Sequence, residues 1–140
     1  MYRIDIDGIL IKGKYILQEF LSGEKYYFSE FKPSIIPDKM PGVYAIFNAS
    51  EALYVGRSKN MRQRLYNNHL MGPVSNARLK KYLIEDAINF PEITSVDDAK
   101  AYIKDNCYFQ LLPIDTIIER GQIEGLLSYA LNVKYMHEEH

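Results

Sequence analysis

The stretch GVYAIFNASEALYVGRSKNMRQRL, residues 42–65, decides the fold. Val43 to Phe47 and Leu53 to Val55 are short apolar runs of strand-forming residues, each carrying a tyrosine. Asn48-Ala49-Ser50-Glu51 between them reads as a turn, and so short a connection pairs the two strands antiparallel. Gly56 is placed to release the chain from the sheet. Ser58 is the expected N-cap of a basic helix from Lys59 or Asn60 to about Leu70, stopped by Gly72-Pro73.

Working outward, Ser75 is a candidate cap for a second helix to about Asn89, with Leu79, Leu83, Ala87 and Ile88 at near-helical spacing. Asp97 to Lys104 reads as a short helix and Cys107 to Leu112 as a strand closed by Pro113. A last helix is expected from about Thr116 to Leu131, with an apolar stripe of Ile123, Leu126, Leu127, Ala130 and Leu131. On the N-terminal side, Tyr2, Ile4 and Ile6 alternate with polar residues, Asp7-Gly8 is a turn signal and Ile9-Leu10-Ile11 follows, which predicts a hairpin. Tyr15 to Leu21 fits a short helix ended by Ser22-Gly23, and Pro33, Pro37 and Pro41 break a linker. The expectation is an α+β fold: a small, mostly antiparallel three-stranded sheet flanked by helices. Residues 1–40 form an accessory hairpin and linker, and 41–140 the main domain.

At 140 residues, 47% hydrophobic and 25% charged, the chain fits one globular domain with a real core. Twelve tyrosines, six phenylalanines and no tryptophan suit strands, interfaces and base stacking alike. The single cysteine, Cys107, excludes an intrachain disulfide framework and a Cys-rich zinc site, and its apolar setting reads as a small buried hydrophobe. With no apolar signal region and no run near the roughly 18 apolar residues of a membrane span, the expectation is a cytoplasmic protein without a membrane partner. Net charge is −1, yet Arg57, Lys59, Arg62, Arg64, Arg78, Lys80 and Lys81 fall in a stretch without Asp or Glu. Such a patch on a near-neutral protein suits one confined anionic partner, or is simply a solvated helix face.

Tyr44 and Tyr54, on paired strands and each close to a glycine, bring two phenols toward one point. A tyrosine hydroxyl can orient a water, or act as a general base if nearby cations lower its pKa. Arg64, ten residues after Tyr54, is placed to clamp a phosphate.

Gly42-Val43-Tyr44, nine residues, Tyr54-Val55-Gly56 and then Arg64 on a helix resemble the GIY-YIG nuclease family. Pro41 before the first motif resembles the excision-repair members, and the likeness runs from about Pro41 to Met136. The resemblance implies a metal-dependent endonuclease acting on DNA. Tyr44 would be general base or water-positioner, Tyr54 its support and Arg64 the contact to the scissile phosphate. A glutamate on a later helix would hold one Mg²⁺ or Mn²⁺. The last helix offers Glu124 and Glu119, on different faces. Glu124 is favoured because it stands twelve residues before Met136, and Lys134-Tyr135-Met136 resembles the ending of repair-type members. There the family carries an asparagine; methionine has no amide, which predicts weakened activity unless His137 takes part of the role. Some family members place a histidine about four residues after the arginine; His69, five after Arg64, is a candidate phosphate or leaving-group contact, or a surface histidine. Arg57, Lys59 and Arg62 are candidate contacts to the substrate backbone.

The alternatives are a weakened GIY-YIG domain that binds nucleic acid without cutting, and a protein-interaction module, which would show an exposed apolar face within residues 1–40. No helix-turn-helix or zinc finger is evident. Monomer and homodimer both stay open; one active site cuts one strand at a time.

Overall fold

The computed structural model describes residues 2–74 and 77–136. In chain order the elements are α1 (Ile6–Leu21), β1 (Tyr26–Tyr27), β2 (Gly42–Phe47), β3 (Ala52–Ser58), a π-helix (Gln63–Leu70), α2 (Leu79–Glu85), α3 (Val96–Asn106), β4 (Tyr108–Pro113) and α4 (Ile117–Ala130). The sheet has four strands in the order β1-β4-β2-β3, antiparallel throughout. The predicted hairpin supplies β2, a central strand with every residue buried, and β3 on the edge beside it.

The alternation along β2 explains the layering. Tyr44 and Ile46 face one core with Phe28, Phe31, Phe109 and residues of the π-helix, α2 and α3. Val43, Ala45 and Phe47 face the other, where α1 brings Phe20 and α4 brings Leu127. A sheet buried on both faces reads as continuous apolar runs, as these strands do.

Four expectations are corrected. The sheet is four-stranded because Tyr26 and Tyr27 pair with Phe109 and Tyr108; two residues are too few to show a periodicity. The N-terminal hairpin is a helix: the Asp5 side chain caps it by accepting the Gly8 N–H at 3.0 Å, so Asp7-Gly8 lies inside the first turn. Only the helical end at Leu21 with Ser22 after it was foreseen. Gly56 does not release the chain; β3 runs on to Ser58. Ser58 does not cap the helix; its Oγ accepts from the Asn60 N–H at 3.0 Å, and Asn60 Oδ1 accepts from the Gln63 N–H at 3.2 Å.

Elsewhere the boundaries shift. The second helix is only Leu79–Glu85; Leu83 ends its buried side, and Ile88 is 94% exposed. Its expected cap, Ser75, lies outside the described residues, as does His137. Ser95 and Thr116 cap α3 and α4. In the predicted stripe of α4 only Leu127 is fully buried, and Ala130 is exposed. Cys107 is buried as expected, and burial pushes its thiol up to about 12. No helix among the described residues is long and apolar enough to cross a membrane.

Lys80, counted above in the basic patch, is buried instead. Its Nζ donates to the carbonyls of Leu70 at 2.7 Å and Gly72 at 2.6 Å. The last carbonyls of a helix lack intrahelical partners, so this amine closes the end of the π-helix. Burial above all, and Lys100 next, lower its pKa from 10.5 to about 8. Between those two values folded Lys80 is neutral while unfolded Lys80 is charged. The unfolded state then binds more protons, and stability rises with pH. Urea unfolding of wild type beside Lys80→Met should therefore show the difference moving in favour of wild type as pH rises from about 8 towards 10; a constant difference would contradict the buried amine.

Candidate active site

Tyr44 is fully buried on β2, with Gly56 opposite it on β3. A Cβ at position 56 would run into the ring and hydroxyl of Tyr44. Glycine is what lets the phenol lie across its neighbouring strand. The Tyr54 ring stacks beside it, centroids 6.4 Å apart at 22°. His69 meets both rings edge-on, at 5.4 Å from Tyr44 and 4.9 Å from Tyr54.

The hydroxyl of Tyr44 lies 2.6 Å from His69 Nε2 and accepts from Arg64 Nε at 3.4 Å. A guanidinium can only donate. The Tyr44 oxygen receives from Arg64, and its pairing with Nε2 runs in the direction set by the His69 tautomer: with the ring proton on Nδ1, the phenol donates to Nε2. Arg64 also reaches the Tyr54 hydroxyl.

Arg64 and His69 meet Tyr44 together because their helix is wide. In an α-helix residues five apart face different ways. In a π-helix the hydrogen bond runs from i to i+5, as from the Met71 N–H to the Tyr66 carbonyl at 3.0 Å, so residues five apart stand one turn above each other. Arg64 and His69 are such a pair. His69 is therefore a buried partner of Tyr44, neither a surface histidine nor a phosphate contact in this state.

The phenols are not the low-pKa bases considered from sequence. Burial above all, with Tyr54 adding to it, holds Tyr44 far above the usual phenol range, although Arg64 pulls the other way. Burial likewise raises Tyr54. Glu124 on α4 raises both as well, which puts its carboxylate in their electrostatic neighbourhood.

Glu124 Oε1 is 3.9 Å from Arg57 Nε, and the guanidinium of Arg57 lies where a Cβ on Gly121 would sit. Beside Glu124 is a pocket of about 680 Å³ lined by Gly125, Tyr129, Asn132, Tyr135 and Met136. Glu119 borders a different groove, against α1. Of the other predicted residues, Lys59 is exposed on the connection after β3. Arg62 turns away, its Nε donating to the Ile36 carbonyl at 2.6 Å.

Two residues were missed. Asn132, at φ 48° just past α4, lines the same pocket as Glu124 and Met136; an asparagine after a helix end is the available signal. Tyr82 stacks on Tyr135 at 5.4 Å, and its buried hydroxyl has no partner among the described residues. Tyr135 in turn donates to Asp86 Oδ2 at 2.6 Å.

Among the described residues no three or more His, Cys, Asp or Glu side chains gather as a metal site. The donor set at Glu124 is a single partly exposed carboxylate. That fits a hard cation that keeps most of its waters, such as Mg²⁺, and does not fit zinc.

Residues 40–103 match the GIY-YIG catalytic domain. The match contains Tyr44, Tyr54, Arg64 and His69 and ends before β4, so Glu124, Asn132 and Met136 lie beyond it. Solved structures of the GIY-YIG N-terminal endonuclease domain of UvrC from Thermotoga maritima are similar at low identity. One point mutant, bound to its catalytic divalent cation, is 17% identical, with 89% of this chain and 98% of that chain covered and a TM-score of 0.44. Another, also cation-bound, has the same identity and coverage and a TM-score of 0.40. None of the curated proteins matches the chain.

The packing at Gly56 gives a contrast to measure. Gly56→Ala should cost about 1–3 kcal/mol, because Tyr44 must give way. Gly125→Ala, where a Cβ meets open space within α4, should be neutral or stabilise by about 0.5–1 kcal/mol. Chemical denaturation of both variants checks this, and equal effects would contradict it.

Proposed function

We propose that the chain is a metal-dependent endonuclease that hydrolyses DNA phosphodiester bonds. The observation that carries this reading is the Tyr44 hydroxyl held between His69 and Arg64. Within the proposal Tyr44 orients the attacking water, Tyr54 supports it and Arg64 meets the scissile phosphate. Of the two groups on the hydroxyl, His69 is buried and Arg64 reaches solvent. Substrate therefore enters on the Arg64 side, and a phosphate drawing the guanidinium outward uncovers the Tyr44 oxygen. With a phenol this basic in its free form, proton removal must be relayed. The Tyr44 oxygen accepts the proton of the water while its own proton passes to His69 Nε2, and no free phenolate forms. Arg64 then faces the charge developing on the phosphoryl oxygens.

Glu124 would hold the cation, whose chemistry when bound is Lewis-acid polarisation of phosphate oxygens. Exposed Arg57 and Lys59 are the proposed backbone contacts, with Arg57 leaving Glu124 for the phosphate; Arg62 and His69 are not assigned to substrate. Mg²⁺ or Mn²⁺ is the proposed cofactor and DNA the partner. A single buried thiol suits a reducing, cytoplasmic setting. A second reading, binding without cutting, draws on Met136 where the amide is expected, although Asn132 lines the same pocket.

Supercoiled plasmid incubated with the protein and Mg²⁺ or Mn²⁺ tests the proposal. Wild type should nick it, Tyr44→Phe should slow nicking about 10²–10⁴-fold, and Glu124→Ala should remove the metal-dependent rate. Intact plasmid across pH and metal, with retarded DNA in a gel, would favour the binding-only reading. Normal cutting by Glu124→Ala would move the cation elsewhere.

A further inference from the structure

Among the described residues nothing packs on the outward side of α1, which carries large apolar side chains. Gly13, within 3.9 Å of Leu126, and buried Phe20 form its inward side. On the opposite side Ile11 is 57% and Tyr15 67% exposed; Leu10, 65% exposed, stands between, beside Gly13 on the groove. Eight large apolar side chains between Tyr2 and Leu21 are exposed. They are spread round the helix and ahead of it: Ile9 faces nearly opposite Ile11, and Tyr2 and Ile4 precede α1.

The charges on the same side say what covers it. Asp7, Lys14 and Leu21 stand seven residues apart, almost in line along the helix. Asp7 and Lys14 are placed evenly about the midpoint between Leu10 and Ile11. If a second α1 packs antiparallel on a two-fold axis through that midpoint, Asp7 meets the partner's Lys14, and Lys14 meets the partner's Asp7. Leu10 then meets the partner's Ile11. A parallel pair would set Asp7 on Asp7 and Lys14 on Lys14, so charge selects the antiparallel arrangement. The apolar groove along α1, bordered by Leu10, Gly13, Leu17 and Leu126, lies ready for side chains of the second helix. Residues 2–21 carry Arg3, Lys12 and Lys14 against Asp5, Asp7 and Glu19. That balance lacks the basic excess of a helix that binds anionic lipid or nucleic acid.

We propose that the outward side of α1 is a self-complementary interface through which two copies of this chain form an antiparallel, two-fold dimer. The proposal does not depend on the nuclease reading.

Sedimentation velocity of the full chain in the micromolar range tests it. Wild type should be dimeric. Asp7→Lys alone and Lys14→Asp alone should each weaken the dimer at least about tenfold by placing like charges together. The double variant should recover wild-type association, with circular dichroism showing that all of them keep their helix content. A monomeric wild type overturns the proposal, whether or not that monomer pellets with phosphatidylglycerol vesicles. So does a dimer that ignores Asp7→Lys, or a double variant no better than the singles.

Discussion

A tyrosine hydroxyl with no access to solvent must find hydrogen-bond partners inside the protein. Tyr44 is that group, and much of the domain serves it. Below it Gly56 leaves room for the ring. Beside it Tyr54 and His69 close the walls. Above it one helix delivers both Arg64 and His69, which are five residues apart and can meet one oxygen only where the helix widens to the π form. Lys80, drawn out of solvent, ties off the end of that helix. The cost of a buried polar core is met by partners that are also the reactive groups of the proposed site.

The same burial decides the chemistry. A phenol deep in a protein resists ionisation more than a nearby guanidinium favours it. Tyr44 is accordingly a poor base by itself, and in the proposed reaction it is a relay whose own proton passes to His69. Arg64 has two duties: it completes the hydrogen bonding of Tyr44 in the free protein, and it is the cation a phosphate would meet first. Arg57 stands in a similar relation to Glu124, as a charge partner that an arriving phosphate would draw away.

How much was legible follows from where the information lay. The β2–β3 hairpin and its two tyrosines were readable because strand residues, a short turn and paired Gly–Tyr motifs agree. Arg64 was readable from its distance to Tyr54. His69 was misjudged because α-helical periodicity sets it apart from Arg64, and nothing in the local composition announces a π-helix. Residues 2–11 looked like strands since Ile and Tyr favour them; the Asp5 cap and the packing of Gly13 and Phe20 on the body overrode that preference. The fourth strand was invisible because pairing of Tyr26 with Phe109 is a tertiary event between residues far apart. Glu124 and Glu119 could be set on different faces from sequence, but only the packing of α4 shows which face meets Tyr44 and Tyr54.

In the proposed site the proton of Tyr44 rests on a hydrogen bond to a neutral His69. Nitrogen-15 spectra of the histidine rings measure this directly, with His69 assigned among the three histidines by its loss in His69→Gln. At neutral pH the expected result is a proton on Nδ1, a bare and hydrogen-bonded Nε2, and a clear change at Nε2 in Tyr44→Phe. A proton on Nε2, or a His69 ring unmoved by Tyr44→Phe, would contradict it.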